Sequence, residues 1–139
     1  MEDALLAGDS FLRGVFDAIP VHLFIVDHDV RIMHLNAAVR DDLGLDLEKV
    51  HRMRAGKVLH CVNEPQAAAG CGRSAACDDC VIRIAVANAI QGSRTRRKEV
   101  CMESEAGGVK KTLKFQVTAS PFQYREKPFV LLVLEPSAN

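Results

Sequence analysis

Four thiols carry most of the chemistry available to this chain of 139 residues. Cys61, Cys71, Cys77 and Cys80 follow one another in a C-x9-C-x5-C-x2-C arrangement. Thiolates are the soft ligands that zinc ions and iron–sulfur centres take, so four on one segment can wrap a single tetrahedral ion or cluster. Cys77 and Cys80 are three apart at the start of an expected helix, which puts them on one face, and a helix N-terminus favours the thiolate form. Zinc usually takes two close pairs of ligands. Here there are one pair and two singles, which tilts the reading towards an iron–sulfur cluster, with zinc as the alternative. A reversible disulfide switch and cysteines of no special role both stay open. His60, beside Cys61, is expected to be solvated or hydrogen-bonded rather than a ligand. Cys101, between Val100 and Met102, reads as a small strand residue. A c-type haem is excluded, because Val81 follows Cys80 where that group needs histidine.

The other reactive side chains have plainer explanations. Asp41-Asp42 and Asp27 with Asp29 resemble paired carboxylates, but a helix surface and a turn account for them better than acid–base catalysis. Arg94, Arg96, Arg97 and Lys98 read as a solvated strand end. Neither a Gly-rich phosphate loop nor a G-x-S-x-G nucleophile motif is present, so the chain is expected not to be an enzyme. With 18 basic and 18 acidic residues it carries no formal net charge, which argues against nucleic acid as a partner. No apolar run approaches the ~20 residues that span a bilayer, and Met1-Glu2-Asp3 has the wrong charge for a signal peptide. The expected location is cytoplasmic, where thiols stay reduced. A composition of 48% hydrophobic and 26% charged residues fits one globular domain, with residues 1–9 as lead-in, 10–136 as the domain and 137–139 as tail.

The elements that must position the cysteine segment follow from hydrophobic period. From Ser10, an N-cap residue, Phe11, Leu12, Val15, Phe16 and Ile19 fall at helical spacing until Pro20 stops the helix. These apolar positions exceed what a short helix needs to sit on its own sheet, so the helix is expected either to pack internally or to pair two copies. Val21–Val26 and Val30–Leu35 read as a hairpin turned by Asp27-His28-Asp29. Asn36 caps a helix Ala37–Leu43 that Gly44 ends. Between Gly44 and Cys77 periodicity is lost, and a long loop is expected, rich in Ala and Gly from Asn63 to Ala76. Val81, Ile82, Ala85, Val86, Ala89 and Ile90 then form one stripe on a helix over 81–91, stopped by Gly92, and such a stripe has to lie on a sheet. Lys98–Glu103, a turn at Ala106-Gly107-Gly108 and the alternating stretch Thr112–Ala119 give an antiparallel pair with one wet face. The unbroken run Phe129–Leu134 reads as the central strand, covered on both faces, so that Leu131 at its middle is expected to tolerate no charge. Pro136 ends it.

Phe16-Asp17-Ala18-Ile19-Pro20 followed by Leu23-Phe24-Ile25-Val26-Asp27 resembles the opening helix and first strand of PAS domains. Ile32-Met33-His34-Leu35-Asn36-Ala37-Ala38 resembles their second strand running into the next helix, and Ser120-Pro121 and Phe129–Glu135 resemble their last two strands. The similarity covers residues 11–135. It implies an α+β PAS fold, a five-stranded antiparallel sheet flanked by helices and cupping a small pocket, in a sensory module that passes a signal to a separate output. The cysteine segment is similar to that of cysteine-bearing PAS domains of bacterial sensor proteins, some of which hold iron–sulfur clusters, although its spacing departs from the two-pair CxxC pattern of an oxygen-sensing member. Haem-bearing relatives use a histidine on the long helix, and residues 81–91 contain none. Flavin photosensors use an Asn-Cys-Arg-Phe-type motif, whose neighbours Gly70-Cys71-Gly72-Arg73 lacks. The resulting expectation is a sensory module whose Cys61, Cys71, Cys77 and Cys80 hold an iron–sulfur cluster or zinc and report redox, oxygen or metal state to a signalling effector such as a histidine kinase, as a homodimer without membrane insertion. The alternative is a PAS ligand-binding or dimerisation module with incidental or disulfide-forming cysteines.

Overall fold

A computed structural model describes residues 10–54, 81–106 and 108–136. Helix α1, Ser10–Ala18, is followed by strands β1, His22–Val26, and β2, Ile32–Leu35, then by helices α2, Ala37–Leu43, and α3, Leu47–Val50. Helix α4, Val81–Ile90, leads into strands β3, Thr95–Ala106, β4, Val109–Tyr124, and β5, Lys127–Pro136. All five strands form one antiparallel sheet in the order β2-β1-β5-β4-β3. The last strand is therefore the central one, as the unbroken apolar run predicts. No described helix is long and apolar enough to cross a membrane.

Strand alternation sends side chains to two different faces. Phe24 and Val26 of β1, Val117 and Ala119 of β4, and Val130, Leu132 and Leu134 of β5 join the main core, which α2, α3 and α4 complete with Val39, Val50, Ile82, Ala85, Val86 and Ala89. The stripe on α4 puts Ala85 and Ala89 against the sheet, and alanines let helix and sheet approach closely. Each large side chain sealed here contributes about 1.5–3 kcal/mol. The opposite face carries a smaller cluster of Phe16, Leu23, Ile25, Met33 and Phe129. Leu131 and Val133 lie in it only partly buried. The cover expected on both sides of β5 is thus unequal: α1 is one short helix that buries only Phe16, so Leu131 keeps contact with water.

Several boundaries differ from the sequence reading. Strand β2 begins at Ile32 because Val30 adopts φ 60 within the Asp27 turn. Helix α1 ends at Ala18, one residue short of Ile19. The stretch after Gly44 is not all loop. Asp46 accepts the Glu48 N–H and caps α3, and Val50 buries itself in the main core. The chain then runs along the free edge of β2, where Ile32 donates to the Met53 carbonyl at 2.9 Å and Arg52 donates to the Ile32 carbonyl at 2.7 Å. Strands β3 and β4 are longer than their alternating stretches. They pair from Cys101↔Lys114 to Ala106↔Val109, beyond the Phe115↔Pro136 end of β5, as a two-stranded arm, with Gly108 at φ 81 just before β4.

Candidate functional site

The described residues stop at Arg54 and resume at Val81, so those points flank the cysteine segment in sequence. Arg54 and, from the helix that follows, Arg83 both reach the β1–β2 turn. Asp27 Oδ1 accepts the N–H groups of Asp29 and Arg31 at 2.9 Å each, an arrangement in which an Asp side chain closes its own turn. That turn presents Asp29 to three arginines from separate parts of the chain. Arg54 donates to Asp29 Oδ2 from Nε at 3.1 Å and Nη2 at 2.7 Å. Arg31 Nε lies 3.3 Å from the same oxygen, and Arg83 Nη2 of α4 lies 3.5 Å from Asp29 Oδ1. Arg31 is further fixed by donating to the Arg52 carbonyl at 2.7 Å. Two N–H groups of one planar guanidinium converging on a single carboxylate oxygen make the contact directional as well as electrostatic. Asp29 therefore ties the chain at residue 54, the β1–β2 turn and the first turn of α4 to one point.

A second polar centre holds α1 to the sheet. Asn36 is fully buried. Its Oδ1 accepts the N–H groups of Leu23 at 3.2 Å and Val39 at 3.3 Å, the second being the helix cap expected of it. Its Nδ2 faces the carbonyls of Phe16 at 3.2 Å, Ile19 at 3.1 Å and Val21 at 2.9 Å, which end α1 and start β1. Asp17 adds a bond from the Ala37 N–H at 3.0 Å and an ion pair with Arg40 at 3.4 Å. Beneath α1 lies His34, buried, with the Phe16 ring meeting it edge-on at 5.4 Å between centroids. Its Nδ1 sits 2.9 Å from the Leu35 N and 3.0 Å from the Leu35 carbonyl. Burial lowers its pKa below the ordinary 6.5, opposed by the Leu35 carbonyl and Asp17 and reinforced by Arg13 and Arg40.

On the outer side of this attachment, α1 exposes Phe11, Leu12 and Val15, at 77%, 49% and 47%. These are three of the five apolar residues whose number pointed to a role beyond internal packing. At the other end of the sheet, Ala89, Ile90, Pro121, Phe122 and Phe129 line an open groove of about 240 Å³. Phe122 stacks on Phe129 there.

No protein-family profile and no curated protein matches the sequence. Solved structures do match the backbone. The PAS domain of nitrogen regulation protein NR(II) from Vibrio parahaemolyticus superposes with a TM-score of 0.65 at 13% identity, over 92% of this chain and 99% of that one. The chain has the PAS fold. The PAS domain of an HTR-like protein from Haloarcula marismortui matches at TM-score 0.56 and 17% identity, covering 93% of this chain and 96% of that one. A domain of the sensory box sensor histidine kinase/response regulator from Geobacter sulfurreducens matches at 0.56 and 16%, covering 93% and 95%. Sequence identity this low transfers the fold and not the activity.

Within the PAS fold the residues picked out by chemistry fall in different places. Cys61, Cys71, Cys77 and Cys80, with His60, lie outside the described residues. Cys101 sits on β3, the strand position expected of it, exposed and without a disulfide. Among the described residues no three His, Cys, Asp or Glu side chains are grouped so as to hold a metal. Arg94, Arg96, Arg97 and Lys98 are solvent-exposed, and Asp42 on the surface of α2 pairs with His22 at 2.9 Å. Asp27 serves the turn, as expected. The Asp29 cluster, His34 and the wider role of Asn36 were not legible in residue spacing, since residues 29, 54 and 83 meet only once the sheet and α4 are assembled.

Proposed function

We propose that this chain is a sensory PAS module, not itself catalytic, that passes a signal to an effector such as a histidine kinase. Support comes from the fold, together with the histidine kinase named for the Geobacter sulfurreducens neighbour. The observation that carries the reading furthest is the outer face of α1, where Phe11, Leu12 and Val15 stand exposed on a helix held to the sheet through Asn36 and Phe16. Such a face suits a second copy of the chain, and a homodimer gives the module a surface through which to act.

The cofactor part of the proposal rests on the sequence. The donor set of Cys61, Cys71, Cys77 and Cys80 is all thiol, which fits an iron–sulfur cluster or zinc and suits neither magnesium nor calcium. Bound there, such a group would supply a redox- or metal-responsive centre, and the cytoplasm, where thiols are kept reduced, is the compartment it fits. The chain's own part is to deliver four thiolates from a segment whose flanks, Arg54 and Arg83, meet at Asp29. Protein purified without oxygen is expected to contain stoichiometric metal, with acid-labile sulfide if it is a cluster. Single Cys→Ser replacements at the four positions should each lower that content, whereas Cys101→Ser should not. A disulfide switch would instead show two equivalent replacements and no metal. Metal-free wild-type protein, with all four variants melting like it, would leave only the ligand-binding or dimerisation module.

A further inference from the structure

The groove at the end of the sheet has no charged residue in its wall. Ala89 and Ile90 come from the last turn of α4, Pro121 and Phe122 from β4, and Pro128 and Phe129 from β5. The two prolines carry no N–H, so an apolar occupant strands no donor at their positions. Phe122 stacks on Phe129 with ring centroids 5.9 Å apart, and Phe122 stays 36% exposed while Phe129 is buried. At about 240 Å³ the groove exceeds the ~150 Å³ of an apolar cavity that holds benzene, so it has room for one aromatic ring.

Among the described residues, the large apolar side chain most open to water is Phe11. Val15 follows it four residues on, one turn along the same face of α1, so the two form a ridge. Ridge and groove are neighbours through Phe129, which lines the groove and belongs to the buried cluster that Phe16 of α1 joins. Two adjacent patches of complementary shape on one chain can close into a two-fold pair, each copy giving its ridge and receiving the other's. Charge agrees with this seating. Helix α4 ends at the groove with no basic residue in its last turn, and Arg13, exposed and between Phe11 and Val15 in sequence, supplies a cation for that carbonyl end.

We propose that Phe11 of one copy seats in the groove of Ile90, Phe122 and Phe129 on a second copy, and reciprocally, so that the interface is helix into groove rather than helix against helix. This rests on the homodimer reading above and names the surface that receives α1. Each dimer closes two such seats. Part of the groove wall is the last turn of α4, the helix that follows the cysteine segment in sequence, so the dimer contact and that segment share one element.

Sedimentation of the whole chain across the micromolar range reads the dissociation constant. Phe11→Glu and Phe122→Lys should each raise it about a hundredfold or more, since both seats lose an aromatic contact and each loss is worth roughly tenfold or more. Mixing the two variants in equal amounts should recover about tenfold or more of that loss, because the mixed pair keeps one native seat and sets the two introduced charges, of opposite sign, against each other in the other. Lys114→Gln, exposed towards the far end of β4, should leave association unchanged. A parent that is monomeric at tens of micromolar removes the homodimer reading and this inference with it. A dimeric parent whose Phe122→Lys form is folded by circular dichroism and associates equally well, or a mixture that shows no recovery, overturns the groove assignment alone and leaves α1 paired with α1. Should Phe122→Lys not fold, the Ile90 methyl resonances of the parent decide. They are expected to shift between the dimer and the diluted monomer under the ring current of Phe11, and resonances that do not move overturn the assignment.

Discussion

Replacing Asn36 by alanine tests the polar hub on which α1 depends. The Asn36 Oδ1 accepts from Leu23 and Val39, and the two N–H groups of its Nδ2 are shared among the carbonyls of Phe16, Ile19 and Val21. Alanine removes the cap of α2, a loss of about 1 kcal/mol. It also strands the Leu23 N–H, buried inside the β1 attachment, at about 1–3 kcal/mol, and withdraws the donor from three carbonyls of which that of Phe16 is buried, for about 1 kcal/mol more. The sum is roughly 3–5 kcal/mol, a large share of the ~5–15 available to a domain of this size. Thermal unfolding followed by circular dichroism should drop by roughly 10–20 °C, and amide exchange at Leu23 and Val39 should accelerate ahead of amides in β5. Asn36→Asp should be no milder at neutral pH, because it keeps the acceptor but sets a carboxylate against three carbonyl oxygens. A melting point within a few degrees of the parent, with Leu23 and Val39 still protected, would refute the reasoning, since the bonds would then be worth far less than their burial implies.

Leu132→Asp should unfold the domain, its residue being 1% exposed on the main-core face, while Leu131→Asp, on the partly open face beneath α1, should cost markedly less; comparing the two denaturant midpoints checks the inequality of the two covers. Because burial lowers the His34 pKa below 6.5, its neutral form stabilises the fold at higher pH and that contribution is lost as pH falls from about 6.5 through the lowered folded value. The stability–pH slope in that window should flatten in His34→Gln, and an unchanged slope would assign it to another group. Phe11→Glu with Val15→Glu should convert a dimer to a monomer in sedimentation with little change in melting, since both residues are exposed; a parent chain already monomeric at tens of micromolar would remove the dimer reading.

What was legible in the sequence was whatever local chemistry fixed by itself. Helix α2 carries its own start in Asn36 and its own stop in Gly44, which sits at φ 65, so both ends are found where spacing puts them. The α4 stripe and the apolar run of β5 are long enough for period to speak, and the central place of β5 follows from that run. Helix α3 spans only Leu47–Val50, less than the length at which a period can be counted, and it forms because Asp46 caps it and the core accepts Val50. The outer halves of β3 and β4 lack apolar alternation because they pair only with each other. Val30 has the residue type of a strand and the backbone of a turn, a case where tertiary packing overrides propensity. The Asp29 cluster joins residues 25 and 54 positions apart, beyond what spacing along one element can reveal.

The central position of β5 bears on the order in which the molecule can be made. Before residues 127–136 have left the ribosome, β1 with β2 and β3 with β4 exist as two separate hairpins, neither of which has its partner. A lone two-stranded hairpin is marginal in water. Only β5 bridges them, pairing with β1 from His22↔Leu134 to Val26↔Val130 and with β4 along its whole length. The β1–β5 contacts span more than a hundred residues of sequence, so loop closure over nearly the whole domain precedes the step that makes the sheet continuous. Collapse is therefore late and all at once, and a nascent chain stalled before Lys127 would present the inner edges of both hairpins as unpaired templates for aggregation.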